Sequence, residues 1–468
     1  MQKCECGLDV EKCILHCEKD DWNDEDKLIE FWEAIRNNIF PSLTNIKNTH
    51  TFKNIIFPKY EAEKKVYDDI DLNFTPYTDS NFNPIFELSY FLSAFSLGEI
   101  SLIFENCIFL EGLDLSIYNF QKDIKFENCI FKKELVLNEY YKSDVSFEKC
   151  DFSNNSINLS NKYFASSLKI RKCQNISYLD CTMMKCSMFN LRDSVIQSAN
   201  FYNAIFYSPT IFMNTTFENN IDFKYAQFEK KVFFTDAIFE KKLNLREAIF
   251  KEDVNFLDMK VGSVNRETAR IIKHSFEDQG NIIESNRFYA LEMEEMDKEL
   301  TKSFCKKPLK NENLIDYLLK KSLSELIIFK FHSLSSEHSQ NWFLALVWIF
   351  IIGIIAYFIG GEDLNNKSIQ VNNDIFIGSF VFLLLSTLTV IFNKFDKLSR
   401  WIIGIFLSYL LYNFLVIDNT SFSALFQQIS PFSKLGKDMT AIDFIAKVII
   451  TYLIYQFVVS IRQNTRRS

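Results

Sequence analysis

Four cysteines and a histidine crowd into the first seventeen residues: Cys4, Cys6, Cys13, His16 and Cys17. Thiolate sulfur and imidazole nitrogen are the ligands Zn2+ prefers. Four of them close a structural site, whereas a catalytic site keeps one position open. A stretch this short has no core of its own, so metal would have to organise it. The spacing is not a pair of Cys-x2-Cys knuckles. Cys4, Cys6, Cys13 and Cys17 are the expected ligands of a structural Zn2+, with His16 as a substitute, because adjacent side chains seldom bind one ion. A redox-sensitive or simply buried cluster is the alternative.

A second set of candidates, for a membrane or pore site, lies within or between apolar runs near the C-terminus: the polar Asn413, Gln427, Gln428, Lys447 and Gln456, with Phe426. An ionisable residue at membrane depth is a functional hint by default. Lys447 is also close enough to the end of its run to snorkel. Asn413 and Lys447 fall at similar depth and could pair across helices. The other histidines, His50, His274, His332 and His338, are scattered. There is no Gly-rich phosphate loop, no Gly-x-Ser-x-Gly and no His-Glu-x-x-His. No catalytic residue is assigned, and the chain is not expected to be an enzyme.

The element that dominates the middle of the chain has its own period. A large apolar residue returns at alternating intervals of five and six in the series Phe201, Phe206, Phe212, Phe217, Phe223, Phe228, Phe234, Phe239, Leu245, Phe250, Phe256. Neither a helix nor an ordinary strand produces that spacing. A fixed short repeat is the mark of a solenoid, in which each unit buries its apolar residue against its neighbours. Two positions earlier a small residue (Ala204, Thr215, Ala226, Ala237, Ala248) alternates with a mostly branched one (Thr210, Ile221, Val232, Leu243, Val254). The same spacing runs through Phe104, Phe109, Leu115, Phe120, Phe126, Phe131 and Leu137, with Cys107, Cys129 and then Cys150 in the small position. Between about 140 and 198 only single units survive, such as Cys181-Thr-Met183 and Cys186-Ser-Met188. All five of these cysteines are expected to be packing residues in the small inward slot.

These residues resemble the pentapeptide-repeat family, in its variant with Phe at the centre and Ala or Cys two positions before it. The resemblance covers about residues 100–260. It implies a quadrilateral parallel β-helix in which four five-residue sides make one right-handed coil. Some soluble members mimic duplex DNA and need a strongly acidic exterior. Here residues 201–261 hold nine Asp/Glu against eight Lys/Arg, which argues against that role. The whole chain, at −8 with 52 Lys+Arg and 60 Asp+Glu, implies no nucleic-acid surface either.

Four apolar runs follow residue 340: Trp342–Gly360, Ile375–Phe392, Trp401–Ile417 and Ile442–Ile461. Each is long enough to cross a hydrocarbon core of about 30 Å. Lys394, Lys397 and Arg400 in one loop, with Arg462, Arg466 and Arg467 in the tail, place both termini in the cytoplasm. Lys434 and Lys437 dissent mildly. Eleven Cys without a signal peptide agree with a reducing compartment. The segment Ser421–Ser433 is apolar enough to dip into the membrane and too short to span it. An amphipathic helix on the outer surface is the favoured reading. Pro41 ends an amphipathic helix over 23–40 that should shield the first coil, and Asn265 should cap a helix after the last.

The expected fold is therefore multidomain: a cytoplasmic pentapeptide-repeat β-helix solenoid, a helical linker and a C-terminal α-helical membrane domain of four spans. The segments are 1–20 (Cys-rich, zinc-binding), 21–99 (N-terminal cap), 100–261 (solenoid), 262–340 (linker) and 341–468 (membrane). The combination, with the ending Tyr455-Gln-Phe-Val-Val-Ser-Ile-Arg462, resembles bacterial pentapeptide-repeat membrane proteins. It implies a multi-pass protein of the inner membrane acting as a scaffold or sensor for a protein partner. The alternative is a gated ion channel or permeabilising effector controlled by the solenoid. The lipid bilayer and a protein on the solenoid face are the expected partners, and a homo-oligomer is left open.

Overall fold

The computed structural model describes residues 13–17, 19, 27, 30, 31, 34, 35, 49–58, 100–116, 120–305, 322–360, 429–433, 439 and 441–465. They fall into two compact units, Met1–Gly280 and Asn281–Ser468.

The first unit is a β-solenoid in which every described strand pairing is parallel. One coil has four sides. The alternating five and six add up to the observed step: Phe206 pairs with Phe228 and Phe228 with Phe250, 22 residues apart. Side chains therefore stack on their own kind. The rings of Phe201 and Phe223 lie 4.5 Å apart, Phe206 and Phe228 5.0 Å, Phe212 and Phe234 4.9 Å, and Phe217 and Phe239 5.1 Å. These four pairs occupy the third, fourth, first and second sides respectively. Each buried ring is worth about 2–3 kcal/mol of transfer free energy, and the stacked geometry adds to it.

The solenoid begins earlier than the repeat predicts. Strands Thr49–Lys53 and Ile56–Phe57 are the first two sides, joined in register to Ser101–Glu105 and Ile108–Phe109. Phe52, Phe104, Phe126 and Phe147 form one stack, and Phe57, Phe109, Phe131 and Phe152 another. The separation of Phe57 from Ser101 along the chain hides this start from any period search.

The middle of the solenoid also keeps its coils. Strands Tyr163–Arg171 and Lys185–Arg192 pair over most of their length. The pattern is lost to the eye because aliphatic residues replace Phe at the centres: Leu159, Ile170, Leu191 and Ile196, all buried. Steps of 21 and 23 residues also enter, as in Phe126↔Phe147 and Val145↔Leu168.

Two of the expected cysteine positions are corrected here. Cys107, Cys129 and Cys150 do fill the small slot, each thiol donating to a carbonyl of the previous coil (Phe52, Phe104 and Phe126, at 3.3–3.5 Å). Cys173, which the sequence reading passes over, continues that column. Cys181 and Cys186 do not belong to it. Cys186 pairs with Phe164 below and Phe206 above, and Cys181 follows the Asp180↔Asn200 pair, below Phe201. Both therefore sit at side centres. The small slot between them holds Met184, fully buried. A long side chain in the narrow position is matched by two short ones in the wide positions. Burial pushes the Cys186 thiol up to about 12 and those of Cys107, Cys150 and Cys181 well above the ordinary range, so these four are packing residues and not nucleophiles. Hydrogen bonds from Cys107 and Cys150 instead lower that of the buried Cys129.

Both ends of the solenoid are covered. Phe31 and Ile35, in the N-terminal helical segment, are buried, with Phe31 edge-on to Phe57 at 6.2 Å. At the other end helix α1, Arg266–Asp278, is capped by Asn265, whose side chain accepts from Thr268 N at 2.8 Å. Its Thr268, Ala269, Ile272 and Phe276 are buried, and Thr268 Oγ1 in turn accepts from Leu245 N. The open sheet ends of a solenoid need such covers.

The second unit is helical: α2 (Ile282–Cys305), α3 (Ser322–Ser336), α4 (Trp342–Gly360) and α5 (Ala441–Thr465). Helices α4 and α5 pack through Ile349, Ile450 and Leu453, with Ile429 against them. Among the described residues one helix, Ala441–Gln463, is long and apolar enough to cross a membrane by length and composition. The expectation of four spans is thereby reduced. The run in α4 is shorter on the same test, Trp342–Gly353, and the expected spans at 375–392 and 401–417 lie outside the described residues.

Candidate functional site

A solenoid exposes corners and outward-facing rows, and two of the four corners here carry a residue in the left-handed region. Asn and Asp tolerate that conformation best among residues with a side chain. The corner between the first and second sides follows the rule with Asn54, Asn106, Asn128, Asp193, Asn214, Asp236 and Asp258, alongside Lys149 and Lys172. Its asparagines form a ladder, Asn128 Nδ2 donating to Asn106 Oδ1 at 2.7 Å and Asn106 Nδ2 to Asn54 Oδ1 at 2.9 Å.

The corner between the third and fourth sides departs from it. Its column reads Asn161, Met183, Asn203, Tyr225, Glu247, with φ between 55° and 62°. Met183 is 45 % exposed. Around it the same edge displays Tyr140 and Tyr163, exposed and 5.6 Å apart on adjacent coils, then Tyr202 against Tyr225 at 5.5 Å, and exposed Tyr207. The Lys224 ammonium sits over the Tyr225 ring at 4.5 Å. Six amphipathic side chains thus line up along one edge of a rigid scaffold, two of them at positions where the backbone disfavours them. Exposed aromatics on a rigid support are what protein interfaces use as anchors. Residues that break a local rule without a packing reason are expected at functional positions.

The N-terminal turn brings together part of the expected metal set. Cys13 Sγ and His16 Nδ1 are 3.0 Å apart, whereas Cys17 Sγ donates to Ile14 O at 3.5 Å. Of the two alternatives, His16 is the one beside Cys13. The turn is held by the solenoid, with Leu15 O accepting from Ile56 N. The buried Lys19 ammonium donates to Leu15 O and Cys17 O. Burial lowers its pKa to about 8, with Cys17 and Cys13 opposing the shift. Cys4 and Cys6 lie outside the described residues.

In the second unit the buried Lys447 donates to Ser430 O at 2.8 Å and Ser433 Oγ at 3.2 Å. Asn413, its expected partner, and Phe426, Gln427 and Gln428 lie outside the described residues. Of the segment Ser421–Ser433 the described end is residues 429–433, where Ile429 is half-buried and Phe432 exposed. A Cβ on Gly353 would meet Ile429 Cγ1 at 2.5 Å. Gly353 is seven residues from the end of α4, about 10 Å along the axis, and Lys447 six residues into α5, about 9 Å. Ile429 therefore packs against the two helices and Lys447 reaches Ser430 and Ser433 at that depth, while Phe432 is exposed.

Gln456 has a different role from Lys447. Its Oε1 accepts from Ser339 Oγ at 2.7 Å, Ser336 Oγ at 3.2 Å and His332 Nε2 at 3.2 Å, while His332 Nδ1 lies 3.0 Å from His338 Nδ1. The two histidines, six residues apart across a turn, carry no linear signature, and sequence reasoning missed them.

Residues 212–260 match the family described as pentapeptide repeats (9 copies). Among solved structures, the chain is similar to a trypsin-treated variant of QnrB1, described as a plasmid-mediated fluoroquinolone resistance protein. The identity is 17 %, the match covers 39 % of this chain and 87 % of that one, and the TM-score is 0.19. No curated protein matches the chain.

Proposed function

Taking the solenoid as a pentapeptide-repeat β-helix, we propose that the chain is a membrane-anchored scaffold or sensor that binds a protein partner along the tyrosine-lined edge. The observation that carries this is the choice of Met183 and Tyr225 at left-handed corners, where Asn161 and Asn203 are the comfortable solution. Binding is the reason to accept that local cost. The edge is aromatic and nearly neutral, which suits a protein better than a nucleic acid. The anchor is the apolar α5, with α4 beside it and the runs at 375–392 and 401–417 as further spans of a multi-pass inner-membrane protein with both termini in the cytoplasm. A structural Zn2+ bound through Cys4, Cys6, Cys13 and Cys17, with His16 as a substitute, would fasten the N-terminus to the first coil.

A photo-crosslinking residue placed at Tyr202 or Met183 should capture one discrete partner in cells, and the same residue at Asn128 on the opposite corner should not. Equal capture from both corners, or none from the edge, would sink the proposal. Exchange of α4 and α5 for an unrelated anchor should leave capture intact.

The contact of Ile429 with α4 and α5, and of Lys447 with Ser430, favours a second reading, a gated pore whose wall includes the segment ending at Ser430. Ion flux through full-length protein in liposomes, abolished by Lys447→Ala with the fold intact, would shift the assignment to a channel or effector, with self-association as a further partner.

A further inference from the structure

The histidines meet where α3 turns into α4. Three successive residues of that turn, Glu337, His338 and Ser339, have φ of 49°, 56° and 65°. None is glycine, and each costs about 1 kcal/mol in that region. The turn therefore depends on the side chains that hold it. Ser339 N donates to Ser336 Oγ at 2.9 Å, Asn341 N to Ser336 O at 2.9 Å, and Ser339 Oγ to Gln456 on α5.

The hydrogen bonds fix the imidazole tautomers. Gln456 Oε1 can only accept, so His332 carries its proton on Nε2. Its Nδ1 is then an acceptor, and His338 must donate from Nδ1. Every bond is satisfied while both rings are neutral. A proton added to His332 goes on Nδ1, so that two N–H groups face each other at 3.0 Å with a charge in a half-buried site. A proton added to His338 goes on Nε2, keeps the bond and places the charge beside the Phe329 ring, 4.2 Å away. Asp297 of α2 is the nearest carboxylate, but Lys330 of α3 holds it at 2.7 Å. Glu337 in the turn takes the Asn341 amide. Helix α5 presents Tyr452, which meets Ser335, and α4 presents Trp348, whose indole donates to Leu334 O. Among the described residues Asp297 is the carboxylate whose charge reaches His338, and the Lys330 charge beside it opposes that effect.

We propose that His332 and His338 form a proton-sensitive latch that fastens the α3–α4 turn to α5, closed while both imidazoles are neutral and opened by acid. Burial holds both rings below the ordinary range, His338 at about 4 against a free value of 6.5. Opening that restores the free value to His338 alone becomes about thirtyfold easier at pH 5 than at pH 7.5.

Hydrogen exchange of the turn amides, 336–341, in full-length protein in lipid nanodiscs reads this directly once rates are corrected for intrinsic pH dependence. The expected result is a loss of protection of tens of fold between pH 7.5 and pH 5. It should shrink to a few-fold in His338→Asn, diminish in part in His332→Gln, and persist in Asp297→Asn. Equal protection at both pH values, or an undiminished response in both histidine variants, overturns the latch. Should a histidine variant misfold, 15N imidazole resonances of the wild-type protein decide: they must titrate with the same midpoint as turn opening, and titration without opening also overturns the proposal.

Discussion

Replacing Met184 with alanine should open a void in the narrow slot of its coil, and replacing Cys181 or Cys186 with phenylalanine should overfill the sides next to it. Each position is buried, and Cys186 lies between Phe164 and Phe206. Deleting a buried Met side chain costs about 2–4 kcal/mol, and each added ring about 1–3 kcal/mol. Together the changes recreate the pattern of the coil above, with Phe201, Ala204 and Phe206 at the equivalent positions. The triple variant Cys181→Phe, Met184→Ala, Cys186→Phe should then lie within about 1 kcal/mol of wild type, a coupling of several kcal/mol among the three sites. Denaturant dependence of hydrogen exchange in strands Lys185–Arg192 and Val195–Asn200 of the full chain measures it locally. If the triple variant is as unstable as the sum of the single ones, the slots do not exchange volume and the register given for this coil is wrong.

His50 occupies the inward position that Leu102 and Ile124 hold in the next coils, and burial lowers its pKa from 6.5 to about 4. The unfolded chain binds the proton first, so stability is lost as pH falls through that window, by about 3 kcal/mol in all. His50→Leu should flatten this acid dependence in denaturation curves at pH 7.5 and pH 4.5. Met183→Asn and Tyr225→Asn should each stabilise the solenoid by about 0.5–1 kcal/mol by relieving the left-handed corner, while weakening partner capture; loss of stability in both would remove the argument for the edge. Gly353→Ala forces Ile429 aside, and protease sensitivity of residues 429–433 should rise without unfolding of α5.

The solenoid was legible where Phe fills the centres, because a ring at a 22-residue step leaves a period no other fold makes. It faded where Leu159, Ile170 and Ile196 do the same work, since aliphatic residues at irregular steps look like any core. Cys181 and Cys186 were misplaced for a related reason: a small residue near a medium-sized one reads as a slot and its centre until the coil above shows the reverse. Asn265 announced the cap of α1 because an N-cap is a local device. The pairing of His332 with His338 and Gln456, and of Lys447 with Ser430, could not be read, because it depends on how helices far apart in the chain meet.

The step between coils has a further consequence. From Phe201 to Phe239, before the register shift of the last coil, each residue pairs with one 22 positions on, so a gene segment encoding 22 residues can be gained or lost there and the cut ends still meet in register. The steps of 21 and 23 in the middle do not allow this. Unequal exchange can therefore lengthen or shorten the C-terminal half alone. Each event adds or removes one strand spacing of about 4.8 Å within the solenoid, which makes the length of its C-terminal half a heritable, stepwise quantity.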